Sequence, residues 1–337
     1  MSTAPSDIRK KEQSRLEDLY QVIFPFLLQT ERVLQDVATR GKGLIPEIVR
    51  YVVQAGGKRL RPALVVLSAQ VGGAQTDDAI TVGAAAELIH LATLMHDDIV
   101  DRASLRHQKP TAAVEFGDDV AILLGDYLYV EAFSLLASIN DPILIDLFAR
   151  STRTMCQGEI NQVKRRFQLD LTLSEYLTFI DNKTATLMGT CMRAGARLAR
   201  LSADQATALG HYGWNLGMAF QIIDDTLDLV GEEELTGKTL RTDLANGKLT
   251  LPLIHLRDQL TPTERETFLG YLKSPDGNVP RIVGWLKESG SLQEGLRHAS
   301  NFANQARVSL QHFSDSTPKQ TLSAIAEYAS SRTMLVC

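Results

Sequence analysis

An all-α fold follows from three features of the chain. Helix-start signals recur as reciprocal capping boxes, in which a hydroxyl accepts an N3 amide and the N3 side chain reaches back. Thr172/Glu175, Ser202/Gln205, Thr261/Glu264, Ser291/Glu294 and Thr317/Gln320 all fit that pattern. No convincing alternation of apolar and polar residues marks a strand, and several central segments are apolar around most of their circumference, as helices buried inside a bundle are.

Residues 1–15 (MSTAPSDIRKKEQSR) are polar and lack the apolar core of a signal peptide, so they read as a flexible N-terminal tail. Helices are expected at 12–38, 44–54 and 59–71, the last entered through the glycines of GGKRLRP. The helix at 77–101 carries the apolar run ELIHLATLM and ends in acids. The next, at 113–139, holds the most apolar long stretch, VAILLGDYLYVEAFSLLASI, whose Asp126 and Glu131 favour a buried helix over a membrane-spanning one. Helices at 142–165, 174–199, 203–230 and 248–258 follow, then 263–272, 279–288, 292–313 and 318–332. Pro262 and Pro318 each sit one residue after a proposed cap, where a missing N–H costs nothing. The joints are short, the longest near 273–280 (KSPDGNVP), so residues 16–337 read as a single all-α domain.

A chain of 337 residues with 44% hydrophobic residues can bury a large core. Its net charge of −5 argues against nonspecific nucleic-acid binding, which usually needs a basic excess, so any anionic ligand must be held by local basic clusters. Cys156, Cys191 and Cys337 are widely spaced and form no metal or redox pattern, which fits a reduced cytoplasmic protein.

The chemistry concentrates in two stretches. HDDIVDRASLRHQKPTA, residues 96–112, places Asp97, Asp98 and Asp101 before a run of bases; QIIDDTLDLVG repeats the spacing with Asp224, Asp225 and Asp228. The first and third acids of each set lie four apart, on one helical face, where like charges repel. Two such sets beside apolar sequence would either raise their pKa values or require cations, and although one alone reads equally well as an acidic helix end, the repeated spacing favours cations; carboxylate oxygens suit Mg²⁺, which commonly bridges to substrate phosphates. Bases complete the pattern: Lys58, Arg59 and Arg61 in GGKRLRP, Lys183 with Thr184 in DNKTATL, and Lys238, Arg241 and Lys248 in GKTLRTDLANGK. Each loop alone is most often merely solvated; together they suit a diphosphate held between Mg²⁺ and ammonium or guanidinium groups.

With GGKRLRP, ELIHLATLMHDDIVD, LRHQKPT, GDYLY, KTATL, GMAFQIIDDTLDLVG and GKTLRTDLANGKLTLPLI in this order over roughly residues 45–256, the chain resembles the trans-polyprenyl diphosphate synthases. These head-to-tail prenyltransferases make farnesyl, geranylgeranyl, octaprenyl and similar diphosphates. The resemblance implies a bundle of long antiparallel helices around a deep central cavity, usually as a homodimer. It implies three Mg²⁺ per substrate-bound site, with Asp97, Asp101 and Asp224 as ligands and Asp98, Asp225 and Asp228 as neighbouring or water-mediated ones. Arg106, Lys183 and Lys238 match positions that clamp the allylic diphosphate; Lys58, Arg61 and His90 match those that bind isopentenyl diphosphate. Lys248 is a further substrate-binding candidate, and Thr184 and Gln221 match residues lining the reaction centre. Acids and bases together would stabilise charge leaving with pyrophosphate, so the allylic C–O bond can ionise. The double bond of isopentenyl diphosphate then attacks, and its proton is lost to the departing pyrophosphate.

Product length is expected to follow the depth of the apolar cavity beneath the first cluster. Five positions before Asp97, where the family's short-chain members carry a bulky aromatic residue, stands Ala92, so a medium- or long-chain product is expected over a short-chain one. The sequence departs from the family at Arg241, where glycine is more common, and at His107, where a second arginine is usual. Near neutral pH a histidine is only partly charged, so affinity for isopentenyl diphosphate is expected to weaken as pH rises. A Michaelis constant that stays flat from mildly acidic to mildly basic pH, or is unchanged by His107→Arg, contradicts that expectation. Two rivals remain: a non-catalytic subunit of a heteromeric synthase, disfavoured by two complete clusters, and a head-to-head or cyclising enzyme, which needs no GGKRLRP.

Overall fold

Capping chemistry sets many of the helix starts. Thr172, Ser202 and Thr261 each accept the N3 amide while the N3 Glu or Gln reaches back, so three expected boxes form as read. Two do not. The helix expected at 292 is already under way at Ser291 behind Gly290, a residue with φ +72°, and Glu294 turns to Arg297 and His298. The final helix begins at Thr317 itself, with Ser316 accepting from the Lys319 amide, so the cap lies one residue earlier.

The computed structural model describes residues 18–74, 77–106, 108–231, 240–275 and 277–331. After a short 3₁₀ turn at Gln21–Ile23, the first four helices are α1 (Phe24–Arg40), α2 (Ile45–Gln54), α3 (Leu60–Val71) and α4 (Asp77–Val100). A hairpin of β1 (Leu105–Arg106) and β2 (Lys109–Pro110) precedes α5 (Ala112–Phe116), α6 (Asp118–Ser138) and α7 (Pro142–Lys164). Then come α8 (Leu173–Ile180), a π-helical turn at Asp181–Ala185, α9 (Thr186–Leu198) and α10 (Ala203–Val230). The chain continues with α11 (Thr242–Ala245), α12 (Leu251–Gln259), α13 (Pro262–Lys273), α14 (Val279–Glu288), α15 (Ser291–Ser309) and α16 (Thr317–Ser331).

Several expectations need correction. The helix expected at 113–139 is broken at Gly117, whose φ of +91° ends α5 before α6 begins. The two-residue strands of the hairpin are too short to leave an alternating pattern in sequence. The helix expected at 174–199 carries the π turn in its middle. Nor is α6 wholly buried: less than half of its apolar stretch is covered, and Ile122, Leu123 and Val130 are exposed, whereas α4 is sunk in the core along most of its length. Both helices are long and apolar enough to cross a membrane by length and composition.

Two apolar cores result. One gathers α1–α7, α9, the first half of α10 and α16 around Leu64, Leu88, Leu128, Phe148, Tyr212 and Tyr328; the other gathers α8, the end of α10 and α12–α15 around Ile222, Leu227, Phe268 and Leu286. Helix α10 passes through both and so connects them. Its Gly217 lies so close to the π turn that a Cβ there would stand 2.5 Å from the Cα of Ala185. Only glycine permits that approach, and it brings Thr184 into hydrogen-bond reach of Gln221 on α10, one turn before the second aspartate cluster.

Candidate active site

Both aspartate clusters fall at helix C-termini: Asp97 and Asp98 in the last turn of α4 with Asp101 just beyond it, and Asp224, Asp225 and Asp228 in the last two turns of α10. The helix dipole already places partial negative charge there, so acids at these ends are destabilised unless cations answer them. Side chains from four other segments do so. Lys183 from the π turn lies 3.0 Å from Asp97 and 3.2 Å from Glu159 of α7. Arg106 of β1 donates to Asp98 at 2.9 Å and 2.5 Å. Lys248, in the loop after α11, lies 2.7 Å from Asp101, whose other oxygen is 2.5 Å from Arg166 at the end of α7. Lys248 follows the second cluster in sequence but bonds the first, while the Asp243 amide bonds Asp228, so the segment after the second cluster touches both Asp-rich stretches.

The second cluster is tied up differently. Tyr176 of α8 and Gln221 each donate to Asp225 at 2.7 Å, and Thr184 donates to Gln221 at 2.5 Å. Asp228 accepts from the Thr242 hydroxyl and the Asp243 amide, while its carbonyl accepts from the Arg241 amide. That last bond holds Arg241 at φ +62°, a left-handed conformation that explains why glycine suits this position. Arg241→Gly is expected to raise the urea midpoint, by a stability gain of roughly 1 kcal/mol; an unchanged or lowered midpoint would show the strain to be absent.

GGKRLRP divides its labour. Arg59 is consumed structurally, pairing with Glu31 and Glu87 and donating to the Val53 carbonyl at 2.7 Å. Lys58 is exposed, with its ammonium 5.6 Å from the ring centres of both Phe220 and Tyr328. Arg61 is largely enclosed, its pKa lowered by burial and partly restored by Glu87 and Asp224, and its buried Nε has no hydrogen-bond partner. Both side chains therefore lie along α10 near Gln221–Asp224. His90 is half-buried on α4, and Ala92 is fully buried two residues on. His107 and Lys238 lie outside the described residues.

Electrostatics follow from burial and partners. Burial works against the charge on Lys183, but Asp97, Glu159 and Asp101 more than offset it, so the ammonium persists at any working pH. Burial would raise Asp101, yet Lys248, Lys183 and Arg166 hold it below the usual carboxylate range. Burial pushes Asp98 up despite Arg106. It pushes Asp225 up to about 7, with Asp243 adding to the effect and Gln221 and Tyr176 opposing it. An aspartate whose folded pKa exceeds its unfolded value binds the extra proton in the folded state. Its contribution is complete below the unfolded value near 3.8 and is lost as pH rises toward 7. The metal-free protein should therefore lose stability, on the order of 1 kcal/mol or more, between pH 5 and pH 8, and Asp225→Asn should flatten that slope in urea titrations. An unchanged slope in the variant would place the effect elsewhere.

Sequence reasoning missed Arg166, Glu159 and Tyr176. None stands in a motif, because each belongs to a helix brought to the site only by tertiary packing. Among the described residues, no group of three or more His, Cys, Asp or Glu side chains is gathered as a self-sufficient metal site. Hard carboxylate oxygens divided between two clusters still fit a cation such as Mg²⁺, which keeps much of its coordination outside the protein.

Comparison with known proteins identifies the family. Residues 42–284 match the family described as polyprenyl synthetase. The octaprenyl diphosphate synthase of Escherichia coli is 32% identical over 291 residues, covering 86% of this chain and 90% of that one. The geranylgeranyl diphosphate synthase of Methanosarcina mazei is 34% identical over 288 residues, covering 84% and 88%. The crystal structure of a polyprenyl synthase from Caulobacter crescentus, complexed with calcium and isoprenyl diphosphate, superposes with a TM-score of 0.89 at 34% identity, covering 94% of this chain and 97% of that one.

Proposed function

Because this chain belongs to the polyprenyl synthetase family, a family of prenyltransferases that extend an allylic diphosphate head to tail with isopentenyl diphosphate, we propose that it makes a medium- or long-chain trans-polyprenyl diphosphate. The observation carrying the site assignment is the cross-bond from Lys248 to Asp101, which unites two acid clusters and their cations. Asp97, Asp101 and Asp224 would hold Mg²⁺, three ions in the substrate-bound enzyme, with Asp98, Asp225 and Asp228 assisting. When bound, Mg²⁺ would neutralise charge developing on the leaving diphosphate.

The chain's own residues do the rest. Lys183, Arg106 and Lys238 clamp the allylic diphosphate, and Lys248 fixes the first cluster beside the second. Lys58, Arg61 and His90, with His107, hold isopentenyl diphosphate, and the orphaned Nε of Arg61 supports an anion there. The Phe220 and Tyr328 rings steady the Lys58 ammonium. Thr184 and Gln221 form a hydrogen-bonded pair at the reaction centre. Two fixed diphosphates hold the reacting carbons side by side, which lowers the entropic part of the barrier. Ionisation of the allylic C–O bond releases pyrophosphate; the isopentenyl double bond forms the new C–C bond and gives its proton to the pyrophosphate.

The exposed apolar face of α6 (Ile122, Leu123, Val130) supports a homodimer that covers it. The chain is read as one catalytic domain acting in the cytoplasm on small diphosphates, with no nucleic-acid partner. Incubating the purified protein with Mg²⁺, labelled isopentenyl diphosphate and farnesyl or geranylgeranyl diphosphate, then sizing the products, tests the reading. Products longer than geranylgeranyl diphosphate support it, and an end point at farnesyl or geranylgeranyl diphosphate overturns the chain-length assignment.

A further inference from the structure

Asp101 meets a different cation at each carboxylate oxygen, whereas Asp98 has both oxygens held by the single guanidinium of Arg106. One oxygen meets Arg166 at 2.5 Å, the other meets Lys248 at 2.7 Å, and the Asp101 carbonyl accepts from Asn246 at 3.3 Å. Arg166 is itself anchored: it donates to the Val100 carbonyl at 3.0 Å, and the next residue, Phe167, takes a left-handed φ of +60° and donates its amide to Gly247 at 2.8 Å. The end of α7, the end of α4 and the 246–248 loop thus form one strap across the mouth of the first cluster. Asp97, by contrast, receives a cation at one oxygen, from Lys183. Both Asp101 and Arg166 are mostly shielded from solvent, with side chains 20% and 16% exposed, so the pair is only partly screened.

We propose that Arg166 is a built-in competitor for the divalent cation, holding Asp101 in the metal-free enzyme and thereby weakening metal binding at the first cluster. The inference rests on the reading of Asp97 and Asp101 as metal ligands. Arg166 touches no reacting atom in this role; it acts through Asp101 and is a positioning residue. A guanidinium bonded to one carboxylate oxygen must withdraw, or remain as a like charge beside the incoming ion. Either course lowers affinity. The consequence is an enzyme whose first cluster stays neutralised until diphosphate arrives and brings its own negative charge.

A merely structural Arg166 and a competing Arg166 predict opposite signs. Mn²⁺ binding to the full chain, followed by electron paramagnetic resonance in the absence of diphosphate, reads the difference without turnover. Arg166→Gln is expected to bind Mn²⁺ about tenfold more tightly than the parent, while Arg166→Lys, which keeps the charge, stays within about twofold. Arg166→Met carries the same expectation as Arg166→Gln and serves if the glutamine variant folds poorly. Equal or weaker binding in the charge-removed variants overturns the proposal. Asp97→Asn separates this failure from a deeper one: if it leaves Mn²⁺ binding untouched, the reading of the first cluster as a metal site is wrong, whereas loss of binding in Asp97→Asn with none of the Arg166 effect sinks only the inference about Arg166.

Discussion

Lys183→Ala is expected to lower kcat for condensation by about a hundredfold or more while leaving the protein folded. Lys183 rises from the π turn between Asp97 and Glu159, at 3.0 Å and 3.2 Å, and their charge keeps it protonated despite burial. Diphosphate gains negative charge as the C–O bond breaks, so a fixed ammonium beside it contributes more in the transition state than in the ground state. The loss should therefore fall mainly on kcat and less on the Michaelis constant for the allylic substrate. Lys183→Arg should recover part of the rate, since it restores charge without the compact donor geometry. Steady-state assays with labelled isopentenyl diphosphate decide the matter, and a loss smaller than about tenfold would remove Lys183 from the clamp.

Ala92→Phe is expected to shorten the product without abolishing the first condensation. Ala92 lies on α4, five residues before Asp97, and is wholly buried in the core that also contains Leu88 and Leu91 of α4 and Leu124 and Leu128 of α6. On the proposed chain-length reading, a phenyl ring just over one helical turn below the acids stands in the path of an elongating isoprenoid tail. Overpacking should cost about 1–3 kcal/mol of stability, so thermal stability needs checking beside the chromatographic product profile. An unchanged profile in a folded variant would show that length is set elsewhere, with Phe133 of α6 the next residue to test.

The helical architecture was legible because helices leave periodic and capping signals within their own sequence. The three capping boxes at Thr172, Ser202 and Thr261 formed as read, and the ends of α2, α3, α7 and α10 lie within a residue or so of expectation. Misreadings arose where one local rule was compatible with two registers. Ser291 and Thr317 both head plausible boxes, but the preceding Gly290 and Ser316 take the boundary instead. The break at Gly117 was hidden because apolar residues continue on both sides of it. The acids and several bases of the site stood out because their spacing repeats. Their partners did not: Arg166, Glu159 and Tyr176 sit in segments whose local sequence explains itself as ordinary helix surface. Which of three neighbouring bases in GGKRLRP is structural depended on Glu31 and Glu87, far away in the chain, and so became visible only in three dimensions.

The π turn at Asp181–Ala185 has a consequence for what insertions and deletions this chain can accept. A single extra residue in a helix rotates everything beyond it by about 100° about the axis, so α8 and α9 are out of phase with each other by design of that turn. Tyr176 of α8 bonds Asp225 of α10, and Met188 and Met192 of α9 pack against Gly213 of that same helix, so the turn keeps both segments against α10. Deleting one residue here would leave a more regular helix with better hydrogen-bond geometry. It would also force a choice between aiming Lys183 and burying α9, which makes reading-frame-preserving loss of a single codon in 181–185 more damaging than in the KSPDGNVP joint near 273–280.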